Sequence, residues 1–342
     1  MKLLRRRAAA HPAPDQPRSF VSADLGPFDD RAFESRLVWI FGSPRTGSTW
    51  LLRLLTFPLE PATESPCGSA MRRRSRVRPA AVPIDEPYLP QHLSPILRAF
   101  ADPGAPGFLL NPTRAEEPSY FFSNHFAPLW RPELRRLVLR RFRGQVELAE
   151  REHSINDPMV VVKEPNGSHG AELVMSLLSR SRMIFQLRDG RDVIDSLMHA
   201  QMGTGWLVGS PWVDGIEGQA QRLEFVRREA RLWVNRTIAV QRAYAAHPPH
   251  LRITVRYEDL RTDTVGTLRA IVEWLGIDRS GEELEAAVEA NRFESIRRWH
   301  KGRAKPFRSA TPGLWRQNMN EREREVMEEI MGEKLVELGY EL

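Results

Sequence analysis

The stretch Leu37-Val38-Trp39-Ile40-Phe41-Gly42-Ser43-Pro44-Arg45-Thr46-Gly47-Ser48-Thr49-Trp50-Leu51-Leu52 constrains this chain more than any other. A short apolar run rich in β-forming residues passes through a Gly/Pro/Ser/Thr turn. It re-emerges as the helix-like Trp-Leu-Leu-Arg-Leu-Leu. Strand, tight loop, helix is the geometry in which backbone N–H groups and a helix N-terminus converge on a phosphate. Gly42, Gly47 and Thr49 fit the spacing G-x-x-x-x-G-K-[ST], except that Ser48 stands at the lysine position. A nucleoside-triphosphate enzyme uses that lysine on its β- and γ-phosphates. The loop suits a phosphate but lacks the residue for ATP hydrolysis.

The rest of the chain reads as a cover for this loop. At 342 residues it has room for one large α/β domain or two small ones, and its 41% hydrophobic and 27% charged content is that of a soluble globular protein. The net charge of +6 is arginine-heavy, which fits a solvated basic surface or an anionic ligand. No zinc spacing, RNA-binding signature or helix-turn-helix pattern points to nucleic acid. The single cysteine, Cys67, excludes an intramolecular disulfide framework and a Cys-rich metal site. It suits a reducing, cytoplasmic location, and no metal is expected. No run of eighteen apolar residues predicts a membrane span, although peripheral membrane contact stays open. Met1 to Ala10 is basic but lacks the apolar core expected of a signal peptide, and residues 1–33 read as a poorly ordered N-terminal tail.

Residues 34–342 read as a single domain with a basic insertion around 60–83. Ser48 to Thr56 is expected to be a helix stopped by Pro58 and Pro61. The run Met71-Arg72-Arg73-Arg74-Ser75-Arg76-Val77-Arg78 is a self-repelling loop, or a lid or dock for an acidic acceptor. Val82 to Glu86 is a short second strand. Tyr88 to Ala101 and Ser119 to Trp130 are helical pieces, and a long amphipathic helix follows from Pro132. Strands are expected at Met159–Val162, Met183–Leu187 and Leu251–Arg256. Helices are expected at about Gly170–Leu178, up to Met202, Ile216–Tyr244 and Thr264–Leu275, with a last one starting at the capping box Asn320-Glu321-Arg322-Glu323. Strands that are apolar throughout, bounded by helices, mark a three-layer α/β fold: a mainly parallel sheet covered on both faces.

In such a sheet the ligand lies beyond the carboxyl ends of the strands. The phosphate loop, Glu86, Lys163, Arg188 and Tyr257 all follow or end strands, so they converge on one crevice. Lys163 and Arg45 beside the loop suggest a transferred anionic group whose charge is held in the transition state. Arg188, with Ser196 eight residues into the next helix, suits a second phosphate. Two phosphate sites without a P-loop lysine describe a bisphosphorylated nucleotide better than a triphosphate.

These motifs resemble the sulfotransferases that use 3′-phosphoadenylyl sulfate (PAPS) and release adenosine 3′,5′-bisphosphate (PAP). The family's 5′-phosphosulfate loop corresponds to Pro44-Arg45-Thr46-Gly47-Ser48-Thr49-Trp50, and its 3′-phosphate motif to Arg188 through Ser196. Tyr257-Glu258-Asp259-Leu260 and the terminal Leu338-Gly339-Tyr340 recur there too. The resemblance runs from Leu37 to the C-terminus and implies the P-loop-like sulfotransferase fold. It implies that Arg45, Thr46, Gly47, Ser48 and Thr49 hold the 5′-phosphosulfate, that Trp50 lies against adenine, and that Arg188 and Ser196 hold the 3′-phosphate. Tyr257 would complete the nucleotide site. His300-Lys301-Gly302-Arg303 and Gly313-Leu314-Trp315 match the family's closing loop only loosely, which offers Lys301 and Arg303 as further ligands. Trp50 read without the resemblance is an ordinary core tryptophan.

Sulfuryl transfer needs a base on the acceptor hydroxyl and cations on the group in flight. The cytosolic branch has its histidine two residues after the third-strand lysine, where Pro165 stands here. The protein-tyrosine and heparan branches use a second-strand glutamate, which makes Glu86 the candidate base. Lys163 would bridge the leaving oxygen and the sulfuryl group, with Arg45 beside it. Glu164 is a weaker base candidate because neighbouring strand residues point to opposite faces. His92, His125 and His169 are the others. A carbohydrate, lipid or other small-molecule acceptor is expected, with Trp130, Trp206 and Trp212 available to stack on a ring. A nucleotide kinase and a non-catalytic nucleotide- or glycan-binding module are the competing readings.

Overall fold

The computed structural model describes residues 29–59, 78–79, 81–90, 118–153, 157–202, 216, 218–292 and 311–342. Five strands form the central sheet: β1 (Leu37–Phe41), β2 (Ala81–Asp85), β3 (Met159–Lys163), β4 (Arg182–Leu187) and β5 (Arg252–Arg256). All pairings are parallel, in the spatial order β2-β3-β1-β4-β5. The register aligns the strand exits, pairing Asp85 with Lys163, Lys163 with Ile40, Phe41 with Phe185, and Leu187 with Arg256. The chain therefore leaves every strand on one line above the sheet, where ligands bind in this architecture.

Every residue of β1 is buried. Alternation along the pleat sends Leu37, Trp39 and Phe41 to one face and Val38 and Ile40 to the other. On the first face they meet Leu139, Phe142 and Val146 of α3 (Ala127–His153), Val174 of α4 (Ala171–Leu177) and Val240 of α6 (Gly218–Ala246). On the second they meet Leu51 and Leu54 of α2 (Ser48–Leu55), Leu260 of α7 (Tyr257–Thr262), Ile271 of α8 (Thr264–Leu275) and Leu284 of α9 (Gly281–Ala290). This two-sided cover is why the strands read as apolar runs rather than alternating ones. A third cluster joins α5 (Gly190–Gln201) and α6 to α10 (Trp315–Asn318) and α11 (Glu321–Glu337) through Ile194, Trp233, Trp315 and Met331.

Element ends follow their local chemistry. Gly276 adopts φ 71° after α8, the left-handed stop that glycine allows. The Asn320–Glu323 capping box opens α11. Four expectations need correction. Residues 30–33 are not tail: they open the helix α1 (Asp30–Ser35), capped by Asp29, with Phe33 buried in the core. Residues 81–83 belong to β2 rather than to an insertion. The long helix begins at Ala127, not Pro132, because Trp130 is buried against Phe122 and donates its Nε1–H to the Ser123 carbonyl at 3.0 Å. That burial outweighs the backbone hydrogen bond that Pro132 removes inside the helix. Residues 119–126 form turns and one 3₁₀ turn rather than a longer helix. Residues 1–28, Cys67, the arginine run 71–77, His92, Trp206, Trp212 and the segment with Lys301 and Arg303 lie outside the described residues.

Candidate active site

The phosphate loop is pinned from beneath by side chains of two neighbouring strand exits. Ser168 Oγ accepts from the Gly42 N–H at 2.9 Å and lies 2.7 Å from the Gly42 carbonyl. Gln186 Nε2 donates to the Thr46 carbonyl at 3.1 Å. A Cβ on Gly42 would lie 2.2 Å from the Gln186 carbonyl oxygen, so the loop can close this tightly only with glycine there. Thr46 turns its hydroxyl inward to the Ser43 carbonyl at 2.9 Å. Gly47 at φ 86° then opens α2, and no side chain caps the helix. The first-turn N–H groups of Ser48 and Thr49 belong to a helix N-terminus without a side-chain cap, the kind of end that suits an anion.

Lys163 crosses from β3 to this helix end. Its side chain is 4% exposed, and Nζ reaches Thr49 Oγ1 at 3.0 Å, Glu86 Oε1 at 2.8 Å and Asp85 Oδ1 at 2.6 Å. Glu86 sits just past β2 with φ 46°, a left-handed conformation that turns it toward the lysine. Its other carboxylate oxygen accepts from Asn166 Nδ2 at 2.8 Å and from the Tyr88 hydroxyl at 3.0 Å. Burial alone would raise the Glu86 pKa. The hydrogen bond and charge of Lys163, aided by Tyr88 and Asn166, outweigh it and hold the carboxyl below the ordinary value of 4.5. Glu86 is thereby an ionised, hydrogen-bonded carboxylate beside the phosphate loop.

Glu164 points away from Lys163, as strand geometry requires. It is fully buried, and Oε1 accepts from the Gly167 N–H at 3.2 Å. Burial pushes its pKa up to about 7, against the opposing pull of the Gly167 N–H. His125 and His169 are exposed.

A second cluster of cations, Arg188 and Arg45, lies beside α5. Arg188 is 9% exposed; its Nη1 donates to the Arg45 carbonyl at 2.9 Å, and its guanidinium lies 4.4 Å from the Tyr257 ring centroid. Asp192 is 3.9 Å from Nη2, while Arg188 Nε is buried with no hydrogen-bond partner among the described residues. Arg45 Nε donates to Ser196 Oγ at 3.0 Å, so the guanidinium expected on the 5′-phosphosulfate also reaches the serine expected on the 3′-phosphate. Arg45 itself holds φ 70°. Tyr257 touches the loop as well as Arg188: Trp50 meets it edge-on at 6.2 Å, and a Cβ on Gly47 would lie 2.6 Å from its ring. Trp50 packs partly buried against the core, and its Nε1 lacks a hydrogen-bond partner among the described residues. Trp130 is a core residue.

The sequence reading did not single out Asn166, Ser168, Gln186 or Asp85 as site residues. The Lys-Glu-Pro-Asn-Gly turn signalled a strand exit, but which turn residue would meet Glu86 depends on β2 pairing with β3. Among the described residues no cluster of His, Cys, Asp or Glu is placed to hold a metal ion, and no helix is long and apolar enough to cross a membrane.

Among solved structures the chain is similar to mouse sulfotransferase SULT7A1 complexed with PAP, at 13% identity and a TM-score of 0.47, over 88% of this chain and 85% of that one. Retinol dehydratase in complex with androsterone and inactive cofactor PAP gives 16% identity and a TM-score of 0.45, over 90% and 82%. Sulfotransferase STF9 from Mycobacterium avium gives 14% and 0.46, over 90% and 78%. No curated protein matches the chain by sequence. The family model described as the sulfotransferase family matches residues 38–281, from within β1 to the start of α9. That span takes in the phosphate loop, Lys163, Arg188 and Tyr257, and the chain belongs to the sulfotransferase family.

Proposed function

We propose that this enzyme moves a sulfuryl group from PAPS to the hydroxyl of a small-molecule, lipid or carbohydrate acceptor, with Glu86 as the base. The observation that carries this reading is the position of Lys163, which touches Thr49 at the phosphate loop and Glu86 at the same time. A cation placed there can follow charge from the sulfuryl oxygens to the leaving phosphate. Glu86, ionised, takes the acceptor's proton as the new S–O bond forms. The bond from sulfur to the 5′-phosphate oxygen breaks, and PAP leaves. The uncapped end of α2 suits the 5′-phosphosulfate, and the unpartnered Nε of Arg188 suits a 3′-phosphate beside Ser196 and Arg45.

A thermal-shift comparison tests the reading. PAP should raise the melting temperature strongly without metal, and ATP with Mg²⁺ should not. Preference for ATP would overturn it.

A further inference from the structure

Two stretches remain without a task in this chemistry: Glu258-Asp259-Leu260, which completes the motif begun by Tyr257 after β5, and Leu338-Gly339-Tyr340 after α11. The fold brings them together behind Arg188. Glu258 Oε1 accepts from the backbone N–H of Asp189, the residue directly after Arg188, at 3.0 Å. Its other oxygen accepts from the Tyr340 hydroxyl at 3.3 Å. Tyr340 is held there by Arg256, whose guanidinium lies 4.4 Å from its ring and whose Nη1 donates to the Leu338 carbonyl at 2.8 Å. From the other side, Arg191 Nη2 donates to Asp189 Oδ2 at 2.8 Å and to the Glu341 carbonyl at 2.5 Å. Asp189 in turn caps α5 through the Arg191 N–H.

Arg188 is thus gripped at two points by consecutive residues of one motif. Tyr257 lies under its guanidinium, and Glu258 holds the peptide that follows it. We propose that Glu258 and Tyr340 are positioning residues for the 3′-phosphate site, fixing the Arg188–Asp189 peptide so that the guanidinium meets that phosphate. Neither need touch the nucleotide. A carboxylate is suited to this because it accepts from the Asp189 N–H and the Tyr340 hydroxyl with separate oxygens. The inference rests on the reading that Arg188 binds a 3′-phosphate.

Calorimetric titration with PAP and with adenosine 5′-phosphate, on wild type and variants, tests it. Glu258→Ala should weaken PAP binding about tenfold while changing adenosine 5′-phosphate binding less than about twofold. Tyr340→Phe, a mild change, should give a smaller loss of the same selectivity. The double variant should be no worse than Glu258→Ala, since both act through one carboxylate. Equal losses for the two nucleotides, or no loss for PAP in either variant, would overturn the proposal. If Glu258→Ala does not fold, Tyr340→Phe decides by the same ratio. Failure of the underlying reading looks different: wild type itself would not distinguish the two nucleotides, or Arg188→Ala would weaken both equally.

Discussion

Lys163 Nζ and Glu86 Oε1 lie 2.8 Å apart, bridging the ends of two adjacent parallel strands whose register sets Asp85 opposite Lys163. The pair couples the group that would take a proton to the group that would steady the departing phosphate. Neither is freely solvated: the lysine side chain is 4% exposed and the glutamate 25%. A charge pair held in a half-dry crevice acts more strongly than one in water, so its members should be separable by mutation.

Glu86→Gln keeps the shape of the side chain and removes the base. Turnover should fall by about 10²–10⁴ while PAP binding stays near that of wild type. Steady-state kinetics alongside calorimetry checks both. Unchanged turnover would move the base elsewhere, with Glu164 and His92 examined next.

Lys163→Met should lower kcat by about 10²–10³, the scale of a lost transition-state cation. It should also change the pH profile. The lysine's hydrogen bond and charge oppose the upward push of burial on Glu86, so their removal lets that carboxyl rise above its wild-type value. The sign follows directly: a base must be ionised, so the acid limb of residual kcat/KM should move to higher pH. A limb that stays in place, or moves lower, would separate Glu86 from catalysis.

Gly47→Ala asks whether the loop's conformation is required by its sequence. The new methyl would strain a backbone at φ 86° and meet the Tyr257 ring at 2.6 Å. A cost of about 1–3 kcal/mol is expected, together with weaker PAP binding because the helix end must shift. Gly276→Ala is the control, since it shares a positive φ of 71° but has open space around it. It should lower the melting temperature modestly and leave PAP binding intact. Similar binding losses in both variants would mean that the Tyr257 contact does not set the loop.

The sheet was legible because burial on both faces leaves a plain signal: β1 is apolar throughout, as are Met159–Val162 of β3 and Met183–Phe185 of β4. The strand-end rule then brought Lys163, Glu86 and Arg188 to one edge before any pairing was known. Partner choice was not legible. Asn166 on Glu86, Ser168 on Gly42 and Glu258 on Asp189 are contacts between residues 69 to 126 positions apart, and nothing local in the sequence marks them. The helix start at Ala127 was missed for a related reason, because Trp130 is fixed by tertiary burial that overrides the usual meaning of a proline.

Glu164 gives a prediction with a definite sign. In the folded protein its carboxyl is pushed from the ordinary 4.5 up to about 7, first by burial, which outweighs the backbone N–H groups of Gly167, Leu89 and Tyr88. The folded state therefore keeps this proton after the unfolded chain has released it. Stability contributed by the group is full below about pH 4.5 and is lost as pH rises through about 7. Above that range the ionised carboxylate costs up to about 3 kcal/mol relative to the acid. Glu164→Gln retains an oxygen for the Gly167 N–H and cannot ionise. Denaturant melts should show the variant close to wild type at pH 5 and more stable by roughly 2–3 kcal/mol at pH 8. Curves that stay parallel across this range would mean Glu164 titrates as an ordinary carboxylate. A variant less stable at both pH values would mean that the turn needs the charge.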